Sequence, residues 1–464
     1  MTTTTANSAQ PIRPIRPEDE HLGLGANIAY GFQHVLTMYG GIIAVPLIVG
    51  QAAGLPAGEI GVLVASCLFM GGLATLLQTL GVPWFGCRLP LVQGVSFASV
   101  ATIVAILKAG GSIQSVFGAV MIAAVLGLLI TPVFSKVIKF FPPLVTGSVI
   151  TVIGLSLMPV AAHWAMGGSP RAPGYGSMGN IGLAALTLAI VLLLSKLGSA
   201  AISRLSILLS MIVGTVIAVF CGLADFSGVG HGPTFALPNL FHFGVPQFDL
   251  AAIISMFIVI LVVLVETSAD ILAVGDIIGT DIDARRLGDG LRADMISSAV
   301  APVFGSFTQS AFAQNVGLVA VTGIKSRYVV AASGVILLLL GMLPVMGRVI
   351  ACVPPAVLGG AGVVLFGTVA ASGIRTLAKV RYEGNMNLII VATAVGFGMI
   401  PITAPDFYEH FPRWVATIFH SGISSAAVMA VLLNLVFNHL RLGNPEEPSV
   451  FAAGTQRIIK EIAE

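Results

Sequence analysis

The sequence predicts an all-α integral membrane protein of about fourteen transmembrane spans, arranged as two inverted seven-span repeats. Three observations predict it. The first is composition: 56% of the 464 residues are hydrophobic and 9% are charged, with a mean hydropathy of +0.99. A soluble domain carries roughly 25% charged residues, so this chain could not cover a water-facing surface. The second is the run of apolar segments, each near the ~20 residues a spanning helix needs. The third is a pair of motifs that return at one common offset of seven spans.

Taken in order, the chain opens with MTTTTANSAQPIRPIRPEDE. This stretch is polar, proline-bearing and without a cleavable-signal pattern, so residues 1–24 are expected to be a disordered cytoplasmic arm. Apolar segments then begin near Gly25, Gly58, Leu89, Val116, Pro142, Ile181 and Ser206, and these form the first repeat, 25–224. The second, 225–440, has segments beginning near Leu250, Leu287, Thr308, Tyr328, Pro354, Leu388 and Trp414. Residues 441–464 form a polar cytoplasmic tail. The third and tenth segments are the poorest helices and are expected to be interrupted.

Charge orients the array. Of the 22 Lys and Arg residues, all but Lys108, Arg171, Arg348 and Arg413 fall on one side if the first helix leaves the cytoplasm. Lys136, Lys139, Lys196, Arg204, Arg285, Arg286, Lys325, Arg327 and Arg375 are among the inner ones. By the positive-inside rule both termini are cytoplasmic, and a miscount of one span would scramble the bias. The four cysteines, Cys67, Cys87, Cys221 and Cys352, are scattered without zinc or CxxC spacing and are expected as free thiols. No HExxH, GxSxG or cysteine–histidine constellation supports an enzyme, and no metal or cofactor is expected. A net charge of +2 gives no reason to expect nucleic acid.

The repeat rests on two matches. FPPLVTG at Phe141–Gly147 returns as VPPAVLG at Val353–Gly359, opening the fifth and twelfth segments. LVQGVSFASV at Leu91–Val100 aligns with FAQNVGLVAV at Phe312–Val321, in the third and tenth. Seven is odd, so the halves have opposite topology. Inverted repeats with interrupted spans at matching positions are the plan of secondary transporters. Backbone freed at membrane depth must line a protected cavity, where N–H groups and half-helix N-termini can hold a polar ligand. Gln314 and Asn315 therefore mark a candidate site. Gln93 is equally read as helix–helix glue.

Ionisable residues in the apolar runs add candidates. Glu266 and Asp270 lie four apart in VLVETSADILAVGD and share one helix face. A carboxylate in mid-bilayer is costly unless protonated or paired, which makes Glu266 a candidate proton carrier and ligand acceptor. Asp270 is a second site residue or a partner that fixes Glu266. His34 in AYGFQHVLTMYG is a core histidine or a functional one. Asp294 either pairs with Arg292 at a helix entry or joins the central network. Phe97, beside Ser96, could stack on a flat heterocycle or simply pack. Asp276, Asp281 and Asp283 are expected to be solvated, and His163, His231 and His242 to be inert in outer loops.

Together these residues resemble the nucleobase–ascorbate transporter family, in its bacterial xanthine/urate branch. QNVGLVAVTG fits that family's tenth-span signature through Gln314, Asn315, Gly317, Thr322 and Gly323. The Gln33–His34 pair, ET-x-x-D at Glu266–Asp270, Asp294, SRYV and PPAVLGGAG also fit. The resemblance covers nearly the whole chain beyond the arm. It implies a core domain of spans 1–4 and 8–11, a gate domain of spans 5–7 and 12–14 with homodimer contacts, and proton symport. By the same resemblance Glu266 and Gln314 grip a purine base, and Ser96, Phe97, Ala313 and Asn315 complete its site. His34, Asp270 and Asp294 belong to the coupling network. Glutamine at 314 suits oxidised purines, xanthine or urate. Ala269 departs from the glycine usual before Asp270. The alternatives are a uracil or other nucleobase permease of the family, and an anion transporter on the same plan. The implied location is the bacterial inner membrane.

Overall fold

The computed structural model describes residues 16–134, 142–168, 170, 174–230, 233–383 and 386–439. Lys136, Lys139, Arg171, His231, Phe141 of the first FPPLVTG match and the 441–464 tail lie outside the described residues. Each of the fourteen apolar segments carries a helix. In the first half these are α1 (Leu24–Ala52), α2 (Ala57–Leu80), α3 (Val100–Lys108), α4 (Ile113–Ile130), α5 (Pro143–Ser156), α6 (Met178–Leu197) and α7 (Ser206–Phe220). In the second they are α8 (Leu250–Ile278), α9 (Ala284–Val300), α10 (Ala313–Thr322), α11 (Arg327–Gly341), α12 (Pro355–Leu377), α13 (Asn387–Thr403) and α14 (Gly422–Asn434). Among the described residues, seven helices are long and apolar enough to cross a bilayer alone, and α11 adds a pair with Pro344–Ala351 bent by 79°.

Local sequence explains the boundaries. Pro143 and Pro355 open α5 and α12 at the position where a missing N–H costs nothing. Ser112 and Ser115 form a reciprocal capping box on α4. Gly279 and Gly323 end α8 and α10 in the left-handed region that glycine enters freely.

The third and tenth segments are interrupted as expected, and the chain is therefore not wholly helical. Each begins with a three-residue strand, β1 (Gln93–Val95) and β2 (Gln309–Ala311), which pair antiparallel with Gln93 opposite Ala311 and Val95 opposite Gln309. This pairing corrects the sequence alignment of the two segments. Gln93 corresponds to Gln309, not Gln314, a slip of five residues within the right pair of segments. The flanking bonds obey the corrected register. Ser96 N–H donates to the Thr308 carbonyl at 2.8 Å, and Phe312 N–H to the Val92 carbonyl at 3.1 Å. Thr75 of α2 clasps the Gln93 backbone at 2.9 and 3.2 Å, and Ser298 of α9 clasps Gln309 at 2.8 and 3.4 Å.

Helix packing repeats the same symmetry. α2 packs on α11 and α9 on α4; α1 packs on α11 and α8 on α4. In the other group α12 packs on α5, α6 and α7, while α5 packs on α12, α13 and α14. Each packing returns when every helix is exchanged for its counterpart seven segments away. The result is a core group of α1–α4 with α8–α11 and a gate group of α5–α7 with α12–α14. Glycines permit the closest approaches: a Cβ on Gly72 would lie 2.5 Å from Leu338 N, and one on Gly154 would strike the Ala370 backbone.

The expectation of a disordered arm over 1–24 fails for residues 16–24. Pro17–Asp19 form a 3₁₀ turn, and the Glu18 side chain is buried. Glu18 meets Arg286 at 2.7 Å and Thr280 at 2.6 Å, Asp19 meets Arg327 at 2.7 Å, and His21 stacks on Tyr328. These partners lie more than 250 residues away in sequence, which is why a polar, proline-bearing stretch reads as an arm when taken alone.

Candidate functional site

The site grows from the two strands. β1 runs into the 3₁₀ turn Phe97–Ser99 and then α3, and β2 runs into α10, so two helix N-termini face each other inside the core. At the first, the Ser96 hydroxyl accepts the Ala98 N–H at 3.2 Å. At the second, no side chain caps α10. Its first turn carries the exposed Ala313 and the half-buried Gln314. An uncapped N-terminus offers free N–H groups and positive dipole to a polar ligand.

Beside α10 lies a cavity of about 350 Å³, within the 300–1,000 Å³ typical of small-molecule sites. Core residues Gly41, Phe312, Gln314 and Val321 line one wall, and gate residues Arg204, Ile207, Leu365 and Thr368 line the other. It runs from mid-bundle toward the end at which α1 begins. Phe97 borders it: its ring lies 6.4 Å from that of Phe312 and 6.1 Å, edge-on, from that of Phe366 in the gate. A Cβ on Gly41 would lie 2.9 Å from the Phe312 ring and 3.5 Å from that of Phe97, so glycine keeps this crossing open.

The carboxylates stand behind the strands. Asp294 joins the central network and does not pair with Arg292, which bonds Asp289. Its Oδ1 accepts Gln78 Nε2 at 3.2 Å and its Oδ2 accepts the Thr267 hydroxyl at 2.6 Å. Thr267 accepts the Ala311 N–H at 3.4 Å, so the network touches β2. Glu266 is the neighbour of Thr267 and is half-buried on α8. Asp270, one turn on, has a buried Oδ2 with no hydrogen-bond partner among the described residues. Neither Glu266 nor Asp270 lines the cavity. His34 and Asn315 meet each other: Asn315 Nδ2 donates to the His34 carbonyl at 2.9 Å and lies 3.1 Å from Nδ1. Both are buried, tying α1 to α10 beneath the cavity wall.

Sequence reasoning missed Gln78. It donates to Asp294 and the Gly290 carbonyl, and accepts the Cys87 N–H at 3.1 Å. An amide inside the apolar run ATLLQTL is the same signal that exposed Gln93 and Gln314. Gln93 itself is buried with both amide atoms unpartnered among the described residues. His242 is not isolated, since its Nε2 meets Glu59 at 2.7 Å. All four cysteines are free, as expected.

A family model described as a permease family, Xan_ur_permease, matches residues 25–407. The chain belongs to the nucleobase–ascorbate transporter family. It is a multi-pass membrane protein of a transporter family. The chain is similar to the uric acid transporter UacT of Escherichia coli K12, at 39% identity over 429 residues, 92% of this chain and 89% of that protein. It is 40% identical to the xanthine permease of Bacillus subtilis 168 over 416 residues, 90% of this chain and 94% of that one. Among solved structures, the transmembrane domain of the cyanobacterial bicarbonate transporter BicA matches with a TM-score of 0.57 at 14% identity, over 90% of this chain and 98% of that one. The inward-facing murine anion transporter Slc26a9 matches at 0.61 and 14%, over 89% and 68%. These two share the inverted-repeat fold, and at such identity the likeness concerns fold alone.

Proposed function

We propose that this permease is a proton-coupled symporter that imports oxidised purine bases, xanthine and urate, across the bacterial cytoplasmic membrane by alternating access. The observation that carries the reading is the pair of strand-then-helix segments that meet in the core, with Gln314 on an uncapped helix N-terminus beside a core–gate cavity. A purine edge offers donors and acceptors together, which a side-chain amide and backbone N–H groups can both answer. Phe97, between Phe312 and Phe366, supplies an aromatic face for a flat base. Ser96, Ala313 and Asn315 frame the same two turns. The relatives named for uric acid and xanthine transport point to the same substrate class.

Coupling is assigned to Glu266, with Asp270, Asp294 and His34 as the surrounding network. A charged carboxylate is expensive to carry past an apolar gate, whereas a protonated and ligand-bound one is not. Loading with a proton and a base would therefore free the core to move, and unloading would arrest it. The Lys and Arg bias supports cytoplasmic termini, and a homodimer through the gate group is part of the same proposal.

The test is uptake of radiolabelled xanthine and urate by bacteria lacking their own purine permeases, with uracil as competitor and with or without a protonophore. Accumulation should collapse with the protonophore and ignore uracil. Glu266→Gln should abolish uphill accumulation. A Glu266→Gln protein that still concentrates either base would remove Glu266 as the coupling group.

A further inference from the structure

We propose that the core group carries, at the end where α1 begins, a docking site for the phosphodiester headgroup of an anionic phospholipid. A second cavity of about 310 Å³ lies there, between the Pro17–Asp19 turn, the 82–88 turn after α2 and the start of α9. Its carboxylates are almost all engaged. Glu18 pairs with Arg286, Asp19 with Arg327 and Asp289 with Arg292. Asp283 caps α9, accepting the Arg286 N–H at 2.7 Å. Three arginines on the same walls, Arg16, Arg88 and Arg285, are exposed and form no ion pair among the described residues. Among the described residues, three guanidinium groups outside any ion pair thus share these walls with one carboxylate outside an ion pair. Guanidinium forks match phosphate oxygens two at a time.

The cavity's edge separates a lipid from a soluble anion. Leu80, Val82 and Trp84 are 44%, 51% and 66% exposed, and Val82 and Trp84 line the cavity itself. An exposed tryptophan beside cations at a helix end is the composition of a membrane interface. A site for free phosphate would have no use for that apolar edge. The turn is also fixed in place. Trp84 and Arg88 both adopt left-handed backbone, with φ of 70° and 55°. The strain is held by Gly86 N–H donating to the Asp289 carbonyl and Arg88 N–H to the Gln78 carbonyl, at 2.8 and 2.9 Å.

The experiment measures thermal stabilisation and native-mass lipid retention of the detergent-purified full chain. Phosphatidylglycerol, phosphatidylcholine and inorganic phosphate are added separately. Arg88→Gln with Arg285→Gln is compared with Arg88→Lys with Arg285→Lys, and with Lys196→Gln on the gate as control. Phosphatidylglycerol should be retained and stabilising in the wild type, and roughly 30-fold weaker in the glutamine pair. The lysine pair and Lys196→Gln should keep the preference over phosphatidylcholine. The proposal is overturned if the glutamine pair binds phosphatidylglycerol as the wild type does. It is equally overturned if inorganic phosphate stabilises as well as the lipid, or if the lysine pair loses the preference along with the glutamine pair.

Discussion

Gln78 serves three buried groups at once, the Asp294 carboxyl, the Gly290 carbonyl and the Cys87 amide. Replacing it by leucine orphans the Cys87 N–H, at about 1–3 kcal/mol, and takes one donor each from the Asp294 carboxyl, which keeps Thr267, and from the Gly290 carbonyl, which lies within α9. Gln78→Leu should therefore lower thermal stability by about 1–3 kcal/mol and shift the pH profile of uptake, because Asp294 loses one of its two donors. A variant that melts and transports like the wild type would end this account. Residues of this kind divide by legibility. Glu266 and Asp270 are legible because a carboxylate in an apolar run has few bland explanations, whereas Asp294, two residues from Arg292, leaves an ion pair at a helix entry equally open. The partners were not: nothing in the sequence says that Asn315 turns to His34, or that Thr267 joins Asp294 to β2, since those choices are made by packing across 281 and 27 residues.

The Pro17–His21 element is a brace. It ties the α8–α9 turn through Thr280 and Arg286 to the start of α11 through Ser326, Arg327 and Tyr328. Burial raises the Glu18 carboxyl. Hydrogen bonds from Thr280, its own backbone and Arg286, with the Arg286 charge, outweigh that and hold it below its ordinary value of 4.5. A carboxyl depressed by folding stabilises fully above its unfolded value and loses that contribution as pH falls through the folded one. Amide exchange over residues 18–21 should therefore accelerate as pH drops below about 4.5, once the intrinsic dependence is removed. Glu18→Ala should open the segment already at neutral pH, at about 3 kcal/mol for a buried pair broken on one side. Exchange unaltered by the substitution would show that Asp19 and His21 hold the segment alone. The interrupted third and tenth segments were legible as elements, since glycine, serine and amides break an apolar run. Their register was not, because QGVSF and QNVGL look alike while the ladder pairs Gln93–Val95 with Gln309–Ala311.

The whole molecule keeps its repeat symmetry in the helix packings described above and, among the described residues, departs from it at the seam between core and gate. Core and gate are joined at the C-terminal end of α1 by Trp164 Nε1 donating to Gln51 Oε1 at 2.5 Å, and at the first turn of α3 by the Thr102–Ser421 hydroxyl contact at 2.7 Å. The strand register carries Thr102 of α3 onto Leu318 of α10. Exchange of the halves carries Ser421, the N-cap of α14, onto the first turn of α7. No hydrogen bond joins the counterpart positions among the described residues: Leu318, Ile207 and Leu208 line the walls of the cavity. Two related seams, one hydrogen-bonded and one lined by a cavity, fit the rocking of core against gate proposed above. Each hydrogen bond of the closed seam is worth about 0.5–1.5 kcal/mol, so removing both should shift the balance of states by roughly 30-fold. The parted seam should then close. In a background with the exposed Cys221 made serine, cysteines at Leu318 and Leu208 should cross-link slowly, and several-fold faster once Gln51→Ala and Thr102→Val are added. If the latch substitutions leave the cross-linking rate unchanged, the two seams are not reciprocal, and the cavity belongs to a fixed architecture and not to one half of a cycle.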